Sequence, residues 1–228
     1  MLEALMFLIE NAKSLLVPSL KYQAGDGKDG ISVEDTANLQ ATIDNAETKN
    51  TAQQMAVEAE EKMTELQTAT IEKGRALIRK TQNAGQAEFG NDDKARKSEF
   101  HIGADNISSV KKMDSELKYM KAVATNNLAA LKKHGFKEAD VASFDAISTE
   151  LDLNSTNQKN AQNLQKAATN ERDKAMKSLQ KAVRRIQKSA KVVFADQPSV
   201  LIEFESIHEG RGGGKTPPQA PPSPPTAK

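Results

Sequence analysis

Two stretches that end long helical segments carry nearly the same residues 105 positions apart, and this repetition constrains the fold more than any other feature. Arg79-Lys80-Thr81-Gln82 stands where Arg184-Arg185-Ile186-Gln187 stands, and Phe89 where Phe194 stands. At the same offset lie Gly30/Gly135, Asp35/Asp140, Ala37/Ala142, Gln53/Gln158, Ala56/Ala161 and Thr64/Thr169. After one residue of slip, Glu99-Phe100 pairs with Glu203-Phe204. Leu2, Leu5, Leu8, Ala12 and Leu15 meet the apolar counterparts Ile107, Val110, Met113, Leu117 and Met120. Shared helical composition does not produce matched pairs over a whole unit, so the chain reads as one unit written twice.

Within each unit the spacing predicts helices. Leu2, Leu5, Leu8, Ala12 and Leu15 step by threes and fours, one stripe of an amphipathic helix that Pro18 interrupts or kinks. Ser32-x-x-Asp35 resembles a capping box and starts the next helix. From there Ala52, Ala56, Ala59, Met63, Leu66, Thr70, Gly74, Leu77, Thr81 and Ala84 continue the stripe. A helix from about 33 to 88 would be roughly 80 Å long at 1.5 Å per residue. Its counterpart, from about 138 to 194, carries Ala161, Leu164, Ala168, Ala175, Leu179, Ala182, Ile186 and Val193. The first long helix is weakest at Asp44 to Thr51, where apolar positions thin out. Leu151-Asp152-Leu153-Asn154-Ser155 is the candidate break of the second, so continuity through 44–51 and 151–157 is left open. Gly135, after His134, is the expected helix-ending glycine of the second unit. Short return helices follow, one over Lys94–Phe100 and one opened by Asp196 and Pro198 and running through Phe204 and Ile207.

The expected fold is therefore all-α: an elongated antiparallel helical bundle built from two tandem helical-hairpin repeats, each with one shorter and one very long helix. Residues 1–103 form the first repeat and 104–208 the second, packed together as one bundle. Residues 209–228, with Gly212-Gly213-Gly214 and three Pro-Pro pairs, form a disordered tail that cannot build a core. The shorter helices cannot cover the long ones. The uncovered halves are expected to pair with each other about a pseudo-two-fold axis, or with another chain.

Composition fits this picture and narrows the chemistry. Aromatics make up 4% and Trp is absent, so the core is built mainly of small and aliphatic side chains that let helices approach closely. Without cysteine the chain has no disulfide, thiolate metal site or thiol nucleophile. The loop Ala24-Gly25-Asp26-Gly27-Lys28-Asp29-Gly30 lacks the spacing of a calcium-binding loop and reads as a solvated turn. His101, His134 and His208 fall near predicted helix ends, and none sits in a metal-ligand spacing. No cofactor, metal or catalytic residue is expected, and the chain is read as a non-enzyme. Met1 to Val17 is apolar but interrupted by Glu3, Glu10 and Lys13, and it lacks the pattern of a secretory signal. It is read as a packed helix of a soluble, cytoplasmic protein.

The segments Asn127-Leu128-Ala129-Ala130-Leu131, Phe136-Lys137-Glu138-Ala139-Asp140-Val141-Ala142 and Ala182 to Gln187 resemble a bacterial family of Ala-rich helical proteins, described only as hypothetical or fibronectin-type-domain-associated. The likeness covers about a third of the chain. It implies a helical region with no activity to carry over. Here a Gly/Pro tail stands where a β-domain often follows.

Charge supplies the candidate surface. Net charge is +1, yet residues 1–104 hold 12 basic and 17 acidic residues, a net of −5, and the rest hold 20 and 14, a net of +6. Halves of opposite sign can dock on each other or on a neighbouring copy. Glu60, Glu61 and Glu65 fall on a face opposite the apolar stripe. Lys177, Lys181, Arg184, Arg185, Lys188 and Lys191 follow helical spacing on the last long helix. Lys181, Arg184, Arg185, Lys188 and Lys191 are the candidate interaction face. The expected function is a non-enzymatic helical scaffold or protein-interaction protein that binds a protein partner or itself. Membrane interaction or pore formation through Met1 to Leu20 is the alternative. Polyanion binding through the basic face comes third, since no aromatic is interleaved to stack bases.

Overall fold

The computed structural model describes residues 2–25, 29–90, 94–103, 107 and 109–205, with side chains for all of these except 2–5, 94–96 and 205. The calcium-loop reading at Asp26, the end of the last helix at Ile207, His208 and the 209–228 tail lie outside the described residues. Among the described residues the chain forms seven α-helices: α1 Leu2–Lys21, α2 Val33–Phe89, α3 Lys94–Glu99, α4 Val110–Asn126, α5 Leu128–Leu131, α6 Glu138–Val193 and α7 Pro198–Glu205. A 3-10 turn, Lys132–His134, links α5 to α6. An isolated bridge joins Gln23 and Ile31. The fold is all-α.

Helix limits follow local chemistry. The Ser32 hydroxyl accepts from the Asp35 N–H at 3.1 Å and caps α2. Ser109 does the same for α4 through the Lys112 N–H at 3.3 Å. At α6 the reciprocal half of a capping box forms, the Asp140 carboxylate accepting from the Lys137 N–H at 2.7 Å. Gly90 ends α2 at φ 77° and Gly135 ends the 3-10 turn at φ 81°, a conformation open to residues without Cβ.

Three expectations need correction. Pro18 does not interrupt α1, which runs on to Lys21, with the Tyr22 N–H bonding the Pro18 carbonyl at 2.9 Å. The candidate breaks at 44–51 and 151–157 do not occur, and α2 and α6 are continuous for 57 and 56 residues. The second short helix is not one run to His134. It breaks at Asn127, whose side-chain amide donates to the Val123 carbonyl at 3.0 Å and to Glu99 at 2.8 Å.

The described residues divide into two compact units, one of those up to 50 and from 172 on, the other of those from 51 to 171. The long helices α2 and α6 each contribute one segment to either unit. In the first unit, Ile9, Ala12 and Leu15 of α1 share a core with Leu39 and Ile43 of α2 and Leu179, Val183 and Ile186 of α6. Phe194 and Phe204 close it, with ring centroids 5.8 Å apart. Lys21 and Tyr22 both donate to the Glu203 carboxylate, at 2.9 and 2.8 Å, and fasten the end of α1 to α7. Burying each large side chain in such a core stabilises by about 1.5–3 kcal/mol.

In the second unit, Leu77 and Ile78 of α2 pack with Met113, Leu117 and Met120 of α4 and with Phe144 and Leu151 of α6. Phe89 and Phe100 lie 5.8 Å apart by ring centroid. Here α2 and α6 run antiparallel, because contacts step up one helix and down the other: Thr64 with Gln158, Thr70 with Asn154, Lys73 with Glu150, Lys80 with Asp140. From 51 to 69 no side chain of α2 is buried, although Ala52, Ala59 and Leu66 belong to the expected stripe. The stripe of α2 becomes core only from Thr70 onward, where α4 adds a third wall.

Two glycines of α2 mark how close those walls are. A Cβ at Gly85 would lie 2.7 Å from the Phe100 ring, and one at Gly74 would lie 2.8 Å from the Met113 sulfur. The Phe100 ring is fully buried and rigid, whereas a Met side chain adapts to its neighbours. Gly85→Ala should therefore lose up to about 2 kcal/mol, an overpacking cost of about 1–3 offset by about 1 of helix propensity. Gly74→Ala should change stability by less than about 0.5 kcal/mol. Urea unfolding followed by circular dichroism checks both, and equal losses would contradict the packing described.

Candidate functional site

The five residues of the expected interaction face all lie on α6 and all are exposed. Their helix is held by its opposite side, where Ala182, Val183, Ile186 and Ala190 are buried. The face is not uniform. Arg185 Nε lies 2.6 Å from Asp35 Oδ1, and the Asp35 side chain is only 8% exposed. That carboxylate sits in the first turn of α2, where a negative charge also suits the helix dipole. Arg185 therefore works inside its unit, tying α6 to the start of α2. Lys191 also has a partner. Among the described residues, Lys177, Lys181, Arg184 and Lys188 form no ion pair, so these four are the available part of the face.

The structure adds two histidine–carboxylate contacts that spacing did not reveal. His101 Nδ1 and Glu116 Oε1 are 2.8 Å apart. The His101 ring stacks on Tyr119 at 4.3 Å, nearly parallel at 4°. The Tyr119 hydroxyl donates to the Glu99 carbonyl at 3.0 Å, and the Gln82 amide donates to the His101 carbonyl at 2.9 Å. His101 has φ 49°, a left-handed conformation rare outside glycine, so these bonds hold a strained turn in place. A groove of about 680 Å³ lies beside it, lined by His101, Ser109, Lys111, Lys112, Glu116 and Tyr119 among others.

The second contact joins the 3-10 turn to the end of α2. Glu88 accepts from Lys133 Nζ at 2.8 Å and lies 2.8 Å from His134 Nε2. A groove of about 590 Å³ adjoins it, bordered by Arg79, Lys80, Asn83 and His134. Lys80 is held there by Asp140 at 2.6 Å. Among the described residues, no three His, Cys, Asp or Glu side chains converge as a metal site would require. Chemically, each histidine contact fastens a turn to a helix.

Several carboxylates are tuned by these contacts. Glu88 is held below its ordinary pKa by Lys133 and then by His134. Glu150 is lowered by its bond from Lys73, which outweighs burial, with help from Thr70. Glu203 is lowered by Lys21 and Tyr22. No protein-family model, curated protein or solved structure matches the chain.

A carboxylate whose folded-state pKa is depressed contributes stability that is complete above its unfolded pKa, near about 4.3 for Glu. That contribution is lost as pH falls through the folded value. The urea midpoint should thus be flat from pH 7 to about 5 and fall below about 4. Glu88→Gln should lower the midpoint at pH 7 and match the unsubstituted chain near pH 3. A variant deficit that persists undiminished at pH 3 would contradict this role of the Glu88 charge.

Proposed function

We propose that the chain is a tandem duplication of one helical hairpin with its halves exchanged, and that it acts as a non-enzymatic interaction protein through its helix surfaces. Each compact unit takes the first part of one repeat and the second part of the other. Support for the duplication comes from contacts that recur 105 positions along, across elements that are not neighbours in sequence. Asp35 pairs with Arg185 in one unit, and Asp140 with Lys80 in the other, each at 2.6 Å. Phe194 meets Phe204 as Phe89 meets Phe100, both at 5.8 Å, with the one-residue slip seen in the sequence. The Tyr22 hydroxyl donates to Glu203, and its counterpart Asn127 donates to Glu99, each at 2.8 Å. Lys13 pairs with Glu47 at 2.6 Å. Its counterpart Lys118 is pulled above its ordinary pKa first by Asp114 and further by Asp152, the counterpart of Glu47. Helical composition alone supplies no reason for such pairs to coincide.

The observation that carries the interaction reading lies in the second unit. Over residues 51–69 the long helix has no buried side chain, and Met55 and Leu66 are 65% and 43% exposed. On α6, whose Gln158 bonds Thr64 of this stretch, Leu164 is 66% exposed. Apolar side chains off the seam that Thr64 and Gln158 share thus face solvent and offer a partner area to cover. Kinship with the non-catalytic helical proteins that segments 127–142 and 182–187 resemble belongs to the same proposal.

Membrane action is the second reading, favoured by Met6 and Phe7, which α1 leaves exposed. Against it, Ile9, Ala12 and Leu15 of the same helix lie in the core of their unit, and no described helix is long and apolar enough to cross a membrane.

Photo-crosslinking residues placed at Met55, Leu66 or Leu164 in producing cells should yield discrete protein adducts, with none from a control at exposed Ala139. Absence of adducts at all three positions contradicts the reading. If the purified chain then floats with anionic vesicles and Phe7→Lys prevents it, the membrane reading takes its place.

A further inference from the structure

We infer that the protein partner is a second copy of this chain, docked through two exposed stripes of opposite charge on its long helices. This rests on the interaction reading above and names its partner.

The first stripe is basic. Lys174, Lys177, Lys181, Arg184, Lys188 and Lys191 are all exposed and advance along α6 by alternating steps of three and four residues. They keep to one face for about 26 Å at 1.5 Å per residue. Ala175, Leu179, Ala182 and Ile186 are buried on the opposite side, so the cations point away from their own core. Among the described residues, Lys177, Lys181, Arg184 and Lys188 have no carboxylate partner.

The second stripe is acidic. Glu58, Glu61, Glu65 and Glu72 are exposed on α2 and follow the same alternation, with the uncharged Thr68 filling the fourth place. They cover about 21 Å. Glu72 is shared with Arg75, whereas Glu58, Glu61 and Glu65 form no ion pair among the described residues.

The two stripes match in pitch as well as in sign. Both alternate steps of three and four residues, so one helix laid along the other brings cation to anion repeatedly rather than once. A single exposed pair contributes little, but aligned rows of charge steer encounter and fix register. A nucleic acid could also accept a row of cations. It would leave the acidic row of equal pitch unexplained, and it would repel it.

The duplication isolates these stripes from the fold. The residues 105 positions before Lys177, Lys181 and Lys188 are Glu72, Ala76 and Asn83, and those after Glu58, Glu61 and Glu65 are Asn163, Lys166 and Asn170. The same helical framework thus accommodates both sets of residues. The charges of Lys177, Lys181 and Lys188, and of Glu58, Glu61 and Glu65, are thus not common to the two repeats.

The test uses the full chain in sedimentation velocity at about 50 mM and about 500 mM NaCl, over a range of concentration. The expected result is a mass that rises above the monomer at low salt, with association weakened at least about tenfold at high salt as screening shortens to a few ångströms. One variant carries Lys177→Glu, Lys181→Ala and Lys188→Asn. The other carries Glu58→Asn, Glu61→Lys and Glu65→Asn. Each alone should stay monomeric with unchanged helical content, and an equimolar mixture should form a one-to-one complex, since each retains the stripe the other lacks. A chain that is monomeric at low salt, variants that still associate, or a mixture that does not combine would each overturn the proposal. So would a monomer that binds a short DNA duplex and loses that binding in the lysine variant, because the stripe would then belong to phosphate. If self-association fails while Met55 or Leu66 still gives adducts with another protein, the interaction reading stands and only its partner is wrong. Without those adducts both fall.

Discussion

Everything in this structure depends on a mismatch of length. Helices α2 and α6 run for 57 and 56 residues, while α1 and α4 run for 20 and 17. A short amphipathic helix can cover only about a third of a long one, and an apolar stripe left to water gives up its stabilisation. Within each unit the other long helix supplies the facing wall, while Leu66 and Leu164 of the expected stripes stay exposed. The core of each unit therefore contains one short helix, a segment of α2 and a segment of α6.

Polar contacts then fix which segments meet. Asp35 with Arg185, and Asp140 with Lys80, join the start of one long helix to the later part of the other. In both pairs the carboxylate is the more sheltered partner and the cation keeps contact with solvent. Removing such a cation leaves a sheltered charge without its partner, which costs more than an exposed pair contributes when intact. Glu203 and Glu99 secure the short return helices in the same manner, through Tyr22 and Asn127. These ties make the pairing specific where small aliphatic side chains would pack in more than one register.

Much of this was legible in the residues. The three- and four-residue steps placed both long helices to within one residue of their limits, because propensity summed over some fifty residues overwhelms local weakness. The same argument explains why the helices run on through the candidate breaks: none of residues 44–51 or 151–157 is Gly or Pro. Pro18 misled for a related reason, since one missing N–H near a helix end is tolerated when the helix is anchored by buried Leu15 and Ser19. Exposure of Leu66 and Leu164 was hidden, because periodicity marks a face and says nothing of whether a third helix covers it. The tie from Arg185 to Asp35 was not legible, since it depends on two segments 150 positions apart. His101 and His134 were equally opaque. Their carboxylate partners lie on other elements, at separations that no motif encodes.

Hydrogen exchange on a destabilised chain reads the exchange of halves directly. Ile43→Ala empties space in the core of the first unit, where Ile43 is 1% exposed. If the halves are exchanged, protection falls together in α1, residues 33–50, residues 172–193 and α7, while α4 and residues 138–155 keep theirs. Loss of protection through α1 and the whole of α2, with 172–193 unaffected, would mean that each repeat folds as its own block. That result would contradict the account.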